Sequence, residues 1–243
     1  MEYRPFGPTK REVPVIGQGT LYIDEKDRTA AVSALRRGLD LGMTHIDPAE
    51  TYGAGAAEMI VGEAIAGRRD EVFLVSKVLP QHASRSRTAE ACEASLLRLK
   101  TNRLDCYLLH WRGNYPLEET IAGLEDLQKN GKILSWRVSN FDVADLREVA
   151  KIAPEGHMVC NQVLYHLKER TVEDAVLPWC ERHGVAVVAY SPFEHGSFPS
   201  PRTVGDRVLQ QIAAAHQAHS PPGGAQIPRA ITGGIWDSQS FER

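Results

Sequence analysis

The residues that could act together chemically are an aspartate, a tyrosine, a lysine and a histidine: Asp47, Tyr52, Lys77 and His110. They lie in the segments HIDPAETYG, VFLVSKV and DCYLLHW. When hydride adds to a carbonyl carbon, negative charge develops on the oxygen, and a proton must be supplied there. A tyrosine hydroxyl can supply it, a lysine ammonium can stabilise the resulting phenolate, and an aspartate can orient the lysine. A histidine can hydrogen-bond the substrate oxygen, so the set predicts carbonyl reduction.

Each of the four also has a simpler structural interpretation. Asp47 could cap a loop, and His110 could be a core histidine with its hydrogen bonds satisfied. Lys77 is harder to explain in this way, because a charge at the end of an apolar strand must find a buried partner or reach solvent. We favour the joint chemical interpretation because the four residues fall on consecutive strand–helix units.

Composition is that of an ordinary globular protein. The chain has 243 residues, of which 42% are hydrophobic and 24% charged, with a net charge of −3. Charges of both signs are interspersed, which predicts neither a nucleic-acid partner nor a membrane partner. The N-terminus has no apolar signal region and no segment reaches the about 18 apolar residues of a membrane span, so we expect a cytoplasmic protein. Widely spaced cysteines predict reduced thiols, three of them on core faces, and no metal site: Cys92, Cys106, Cys160 and Cys180.

Seven short apolar runs recur along the chain with amphipathic segments between them. Their starts are about 25 to 32 residues apart, which is the length of a strand–helix unit. The runs begin near residues 13, 43, 72, 104, 133, 158 and 185.

Helices are expected between these runs. Apolar residues with helical spacing occur in the segments 32–39, 57–65 and 172–180, the last of which should stop at His183-Gly184. A fourth helix is expected from Pro116 to Gln128, before Asn130-Gly131. Alternating strands and helices predict a parallel sheet.

The polar ends of the runs favour a closed barrel over an open sheet. In a (β/α)₈ barrel the carboxyl ends of the strands form one ring, so these groups would meet in one pocket. They are Asp47, Lys77, His110, Ser139-Asn140, Asn161-Gln162 and Ser191. An open dinucleotide-binding sheet is disfavoured because Gly17-Gln18-Gly19 lacks the third glycine of the fingerprint, where Tyr22 stands.

The predicted barrel is incomplete at its eighth strand and helix. The only strand candidate after Ala215 is residues 225–231, which Pro228 interrupts. We therefore expect a barrel over residues 1–216 and an atypical, Gly- and Pro-rich tail, without fixed structure, over residues 217–243.

The motifs GQGT, D-x-A-E-x-Y-G, SKV, LLHW, VSN, NQVLYH and AYSP occur in this order. The series resembles the aldo-keto reductases, which are NAD(P)H-dependent (β/α)₈ barrels. The segments VGEAI, ACEASLLRL and LPWC are most similar in sequence to bacterial reductases of the methylglyoxal reductase type. The resemblance covers roughly residues 3–216.

The resemblance assigns a role to each matching residue. Asp47, Tyr52, Lys77 and His110 would be the catalytic tetrad. The cofactor would be NADPH, with NADH as an alternative, and Asp47 would also border it. Its other contacts would come from Gly19 and Thr20 at the ribose, from Ser139, Asn140 and Gln162 at the carboxamide, from Tyr190 stacked on the nicotinamide ring, and from Ser191 at the pyrophosphate. Trp111 would line the substrate pocket. Structural alternatives remain for three of these sites: Ser139-Asn140 could cap the next helix, and Tyr190 and Trp111 could be packing residues.

Three departures from the family pattern stand out. Pro48 replaces a threonine after Asp47, and Arg137 replaces a glycine, where a long charged side chain would crowd the neighbouring strands unless it exits to solvent. The segment that grips the adenosine 2′-phosphate is not recognisable after residue 216. We hypothesise a truncation or reading-frame change near residues 216–220.

The resemblance implies NADPH-dependent reduction of small aldehydes or dicarbonyls such as methylglyoxal. A small carbonyl substrate would be the only partner, and the chain would be a monomer or a weak homo-oligomer. The alternative is a truncated, weakly active or non-catalytic reductase-like protein whose cofactor binding is impaired.

Overall fold

Strands and helices alternate along the chain in a computed structural model that describes residues 1–192, 202–215 and 235–236. The strands are β1 Tyr3–Pro5, β2 Glu12–Pro14, β3 Gln18–Gly19, β4 His45–Asp47, β5 Phe73–Val78, β6 Cys106–Leu109, β7 Trp136–Ser139, β8 Met158–Leu164, β9 Ala186–Tyr190 and β10 Ile235–Trp236. The helices are α1 Arg28–Asp40, α2 Ala56–Ala64, α3 Arg85–Leu99, α4 Leu117–Lys129, α5 Val143–Ile152, α6 Val176–Arg182 and α7 Val204–Ala215.

The main sheet consists of seven parallel strands in chain order, from β3 to β9. Each strand pairs with the next one along the chain, and the strand order never reverses as it would in a doubly wound sheet. The predicted barrel is therefore confirmed, as a nearly closed barrel of seven parallel strands.

The eighth position of this sheet differs from a complete barrel. In the described part of the chain, the strand next to β9 is β10, which is antiparallel and pairs Ile235 with Val188. The strand candidate at residues 225–231 lies outside the described residues, as does the rest of the expected tail apart from residues 235–236.

The first apolar run does not form a barrel strand, and this part of the prediction is wrong. Val13 and Pro14 belong to β2, which pairs antiparallel with β1 in a separate hairpin. Phe6, in the turn of that hairpin, packs against Phe73 with ring centroids 4.8 Å apart. The hairpin thus covers one end of the barrel interior, and the first barrel strand is Gln18–Gly19.

Three of the predicted helices match α1, α2 and α4, whereas the helix expected over residues 172–180 begins four residues later. Thr171–Glu173 form a separate 3₁₀ turn, and α6 runs from Val176 to Arg182. No single helix covers the apolar stripe that starts at Val172, because the chain changes direction between the two segments.

Alternate residues of each strand face either the barrel interior or the helices. In β6, Cys106 and Leu108 pack inside the barrel with Phe6, Val13 and Phe73, whereas Tyr107 and Leu109 pack against the helix layer. This alternation places the side chains of Lys77 and His110 inside the barrel, above that apolar interior.

Two further expectations concern the whole of the described chain. All four cysteines are free and buried, one more on the core side than predicted. Within residues 1–192, 202–215 and 235–236, none of the helices has the length and apolar character that crossing a bilayer requires.

Candidate active site

A cavity of about 610 Å³ opens at the carboxyl ends of the parallel strands. Every predicted site residue lines it: Gly19, Thr20, Asp47, Tyr52, Lys77, His110, Trp111, Ser139, Asn140, Gln162, Tyr190 and Ser191. Residues from positions 19 to 191 converge here because a barrel brings all its strand ends to one rim.

The local chain geometry places the four predicted catalytic residues. Asp47 is the last residue of β4, Lys77 lies near the end of β5, and His110 follows β6 directly. Tyr52 begins a 3₁₀ turn in the loop between β4 and α2. The turn continues through Gly53 at φ 56°, a backbone conformation that favours glycine, and a side chain there would also collide with the side chain of Asp24.

Asp47 is the centre of the hydrogen-bond network. Its Oδ1 accepts a hydrogen bond from Lys77 Nζ, which also donates to the carbonyl oxygen of Pro48 at 3.0 Å. Its Oδ2 accepts from Arg137 Nη2 at 2.7 Å and from Gln162 Nε2 at 2.6 Å. The carboxylate therefore fixes Lys77, and Pro48 contributes its carbonyl group to the same task.

The sequence predicts that Arg137 in β7 crowds the neighbouring strands unless its side chain exits to solvent. It does not exit to solvent but lies inside the barrel, with none of its surface exposed. The pairing of β7 with β8 shifts register between Trp136 and Val138, at the position of Arg137. Its Nε and Nη1 atoms have no hydrogen-bond partner in the described part of the chain. The ion pair with Asp47 is thus its main compensation.

Tyr52 lies beside both Lys77 and His110. Lys77 Nζ is 4.8 Å from the centroid of the Tyr52 ring, and the rings of Tyr52 and His110 are 5.8 Å apart in an edge-to-face arrangement. His110 Nδ1 is buried without a hydrogen-bond partner among the described residues, so the histidine is not a satisfied core residue. The two rings and Lys77 therefore share one wall of the cavity.

Burial and charge set the ionisation states around Asp47. Burial by itself would raise the pKa of Asp47, but Lys77 and Arg137 outweigh burial and hold that pKa well below its usual range. Burial, with Lys77 nearby, lowers the pKa of His110 to about 4. Burial, with Arg137 nearby, lowers the pKa of His45 to about 3. At neutral pH both histidines are therefore uncharged, and one carboxylate faces two cations.

The residues predicted to hold a nicotinamide form a second, connected group. Tyr190 Oη donates to Asn140 Oδ1 at 2.9 Å, and Asn140 Nδ2 donates to the carbonyl oxygen of His110 at 3.2 Å. Ser139 Oγ donates to the carbonyl oxygen of Gln162 at 3.0 Å. Amide groups and a tyrosine ring on one wall of the cavity fit the carboxamide and the flat ring of a nicotinamide.

The structural alternatives for these residues do not hold. Helix α5 is capped by Asp142, whose Oδ1 accepts from the Asp145 amide at 2.9 Å, and not by Ser139 or Asn140. Trp111 is 42% exposed and its ring is tilted against that of His110, with centroids 4.7 Å apart, so it is not a packed core tryptophan. Tyr190 is only partly buried and faces the cavity.

Several wall residues were not anticipated from the sequence. His45 lines the deep part of the cavity, and Leu21 and Tyr22 line it near β3. Tyr22 is 53% exposed, and its φ of 62° is a left-handed backbone conformation. Tyr22 lies two residues after the segment GQGT, at the position that a dinucleotide-binding fingerprint would give to its third glycine.

The comparisons with known proteins agree with this geometry. The model of the aldo/keto reductase family matches residues 15–231. This chain belongs to the aldo/keto reductase family. The match extends past residue 216, where the resemblance of the motifs ends.

Two relatives and one solved structure illustrate the similarity. Methylglyoxal reductase YeaE of Escherichia coli is 47% identical over 206 residues, which are 84% of this chain and 72% of that protein. Glyoxal reductase of Bacillus subtilis is 34% identical over 209 residues, or 84% of this chain and 71% of that protein. A Klebsiella pneumoniae aldo/keto reductase in complex with NADP and acetate is 45% identical, with a TM-score of 0.83, covering 88% of this chain and 76% of that chain.

Proposed function

We propose that this aldo/keto reductase reduces small aldehydes and dicarbonyls, of the methylglyoxal type, with NADPH as the hydride donor and NADH as an alternative. The observation that carries the proposal is the position of Tyr52 between Lys77 and His110 at the wall of a single cavity. The names of two relatives, a methylglyoxal reductase and a glyoxal reductase, support the substrate class.

Bound NADPH would supply a hydride to the carbonyl carbon. Tyr52 would give its hydroxyl proton to the carbonyl oxygen, so that the carbonyl becomes an alcohol and Tyr52 becomes a phenolate. Lys77, at 4.8 Å from the ring centroid, would stabilise that phenolate by its charge. His110, which is uncharged because its pKa lies near 4, would orient the carbonyl oxygen through a hydrogen bond.

Asp47 would have a positioning role in this reaction. Both of its oxygens accept hydrogen bonds from buried donors, and the carboxylate remains ionised at neutral pH. It would therefore keep Lys77 charged and in place while Tyr52 loses and regains its proton.

The nicotinamide part of NADPH would lie against Tyr190, with Ser139, Asn140 and Gln162 near its carboxamide. Gly19 and Thr20 would border the ribose, and Ser191 would approach the pyrophosphate. Trp111 would form the wall against the substrate, since it is exposed at the cavity next to His110. The segment expected to hold the adenosine lies after α7, mostly outside the described residues.

The test combines cofactor binding with turnover. NADPH is titrated by protein fluorescence, and methylglyoxal reduction is assayed for the wild type and for Tyr52→Phe. Tyr3→Phe is the matched control, because Tyr3 is an exposed tyrosine of the β1–β2 hairpin. Its hydroxyl donates a hydrogen bond to the carbonyl oxygen of Gly42. We expect saturable binding in all three proteins and turnover lost only in Tyr52→Phe.

Two other results would have distinct meanings. Saturable NADPH binding without turnover on any aldehyde or dicarbonyl would contradict the reductase proposal. Absence of saturable binding up to millimolar NADPH would favour the alternative, a reductase-like protein with impaired cofactor binding.

A further inference from the structure

Arg137 is a buried cation that the proposed reaction does not use. It comes from the middle of β7 and faces the barrel interior, below the four predicted catalytic residues. Its Nη2 atom donates to Asp47 Oδ2 at 2.7 Å. Its Cζ atom lies 5.8 Å from the centroid of the Phe6 ring, which covers the other end of the barrel.

The groups around Arg137 do not balance its charge. Asp47 is shared with Lys77, so one carboxylate serves two cations. His45 on β4 is uncharged, because its pKa lies near 3. The thiols of Cys106 on β6 and Cys160 on β8 are uncharged, since burial raises their pKa values to about 11 and about 12. Arg11 at the hairpin is paired separately with Asp105.

Arg137 itself keeps its proton. Burial alone would lower the pKa of the guanidinium, but the carboxylate of Asp47 outweighs burial and the pKa is raised. Lys77 and Asp47 line the cavity and Arg137 is bonded to Asp47, so the three together leave one net positive charge at the floor of the cavity. In a buried site such a charge acts at longer range than it would in water.

We propose that Arg137 is a positioning residue whose charge, acting beside Asp47 and Lys77, makes the site bind reduced nicotinamide in preference to oxidised nicotinamide. The inference rests on the proposed function, because it assumes that the nicotinamide ring binds against the cavity wall formed by Tyr190 and Asn140. It concerns the oxidation state of the cofactor and not the identity of the substrate.

The physical reason is a difference in ligand charge. The nicotinamide ring carries a positive charge in NADP⁺ and none in NADPH, whereas the adenosine and the phosphates are the same in both. A net positive charge at the floor of the cavity therefore weakens NADP⁺ binding more than it weakens NADPH binding. Contacts to the shared part of the two nucleotides cancel when the dissociation constants are compared as a ratio.

The test measures that ratio by fluorescence titration for the wild type and three variants. Arg137→Gln and Arg137→Gly both remove the charge but differ in the volume that they leave empty. Arg137→Lys keeps a charge at the same position. We expect the ratio of the NADP⁺ and NADPH dissociation constants to fall on the order of threefold to tenfold in both uncharged variants. In Arg137→Lys it should stay near the wild-type value.

The outcomes distinguish a failure of this inference from a failure of the proposed function. If a substitution changes both dissociation constants by the same factor, Arg137 has only a structural role and the inference is wrong. The inference is also wrong if the ratio follows the lost side-chain volume and not the charge. In that case Arg137→Gly and Arg137→Lys would differ from wild type and Arg137→Gln would not. If the wild type binds neither nucleotide, the proposed function itself fails and the inference fails with it. Circular dichroism and thermal melting confirm which variants are folded, and either uncharged variant suffices for the comparison.

Discussion

Tyr190 donates a hydrogen bond from its hydroxyl group to Asn140 Oδ1 at 2.9 Å, which joins the end of β9 to the loop after β7. The bond orients the Asn140 amide so that its Nδ2 atom donates to the carbonyl oxygen of His110. Three strand ends are thus connected along one wall of the cavity. Because this wall is already ordered, little conformational entropy remains to be lost when a flat ring binds against it.

Substitution of Tyr190 should separate the role of its ring from that of its hydroxyl. Tyr190→Ala removes the surface on which a nicotinamide would stack, and aromatic stacking contributes about 0.5–1.5 kcal/mol. We expect the dissociation constant of NADPH to rise by about threefold to tenfold. Tyr190→Phe keeps the ring and should bind NADPH within about twofold of wild type. Fluorescence titration provides the measurement, and equal losses in the two variants would show that the hydroxyl matters and the ring does not.

Removing the charge of Asp47 should destabilise the fold and also slow the proposed reaction. In Asp47→Asn, Lys77 and Arg137 remain buried without a counter-charge, and breaking a buried ion pair in this way costs about 3–5 kcal/mol. We expect a decrease of this size in the free energy of unfolding, measured by denaturant titration.

The control for this measurement is Asp145→Asn. Asp145 pairs with Arg112 at 2.5 Å, but both side chains are partly exposed, at 22% and 35%. Exposed pairs contribute about 0–1 kcal/mol because water and salt screen them. If the two substitutions had equal effects, the buried network around Asp47 would not contribute to stability in the way described.

Much of the fold could be predicted because the hydrophobic pattern and the polar strand ends are local features. Six of the seven apolar runs contain barrel strands, and the polar residue at the end of each run faces the cavity, as for Lys77 and His110. The prediction of a barrel strand is wrong for the first run, because β2 has the same alternation and turn residues as a barrel strand. Only its antiparallel pairing with β1, a tertiary contact, distinguishes it.

The sequence indicates many of the residues around the cavity, but not His45, Leu21 and Tyr22, and not the electrostatics of the candidate site. All twelve sequence-predicted residues line one cavity. Arg137 was recognised as unusual, yet its partner Asp47 is 90 positions away in the sequence. Whether a charged residue in a short strand faces inward depends on the pairing of both neighbouring strands. Here that pairing shifts register next to Arg137, which no local pattern indicates.

Thiol reactivity should report whether the barrel is intact. All four cysteines are buried, and burial raises the pKa of Cys92, Cys160 and Cys180 to about 12 and that of Cys106 to about 11. Because the thiolate is the reactive form, we expect no rapid reaction with a disulfide reagent at neutral pH and four reactive thiols after denaturation. Fast modification of one thiol in the native protein would indicate that its strand or helix opens locally.

The pH dependence of stability should follow from the two buried histidines. His45 and His110 have pKa values lowered to about 3 and about 4, against about 6.5 in an unfolded chain. Below pH 6.5 the unfolded chain therefore takes up protons at these residues while the folded protein does not. Since the unfolded state binds more protons, the free energy of unfolding decreases as the pH falls.

The contribution of each histidine approaches about 1.4 kcal/mol per pH unit between its two pKa values. We expect His45→Gln to reduce the slope of unfolding free energy against pH by up to that amount between pH 6.5 and pH 5, in denaturant titrations at several pH values. His183→Gln is the control, because His183 is an exposed residue at the end of α6, outside the barrel interior, where its ring stacks on Trp179 at 3.9 Å. An unchanged slope in His45→Gln would mean that His45 accepts a proton in the folded barrel, and the charge balance derived for Lys77, Asp47 and Arg137 would then have to include it.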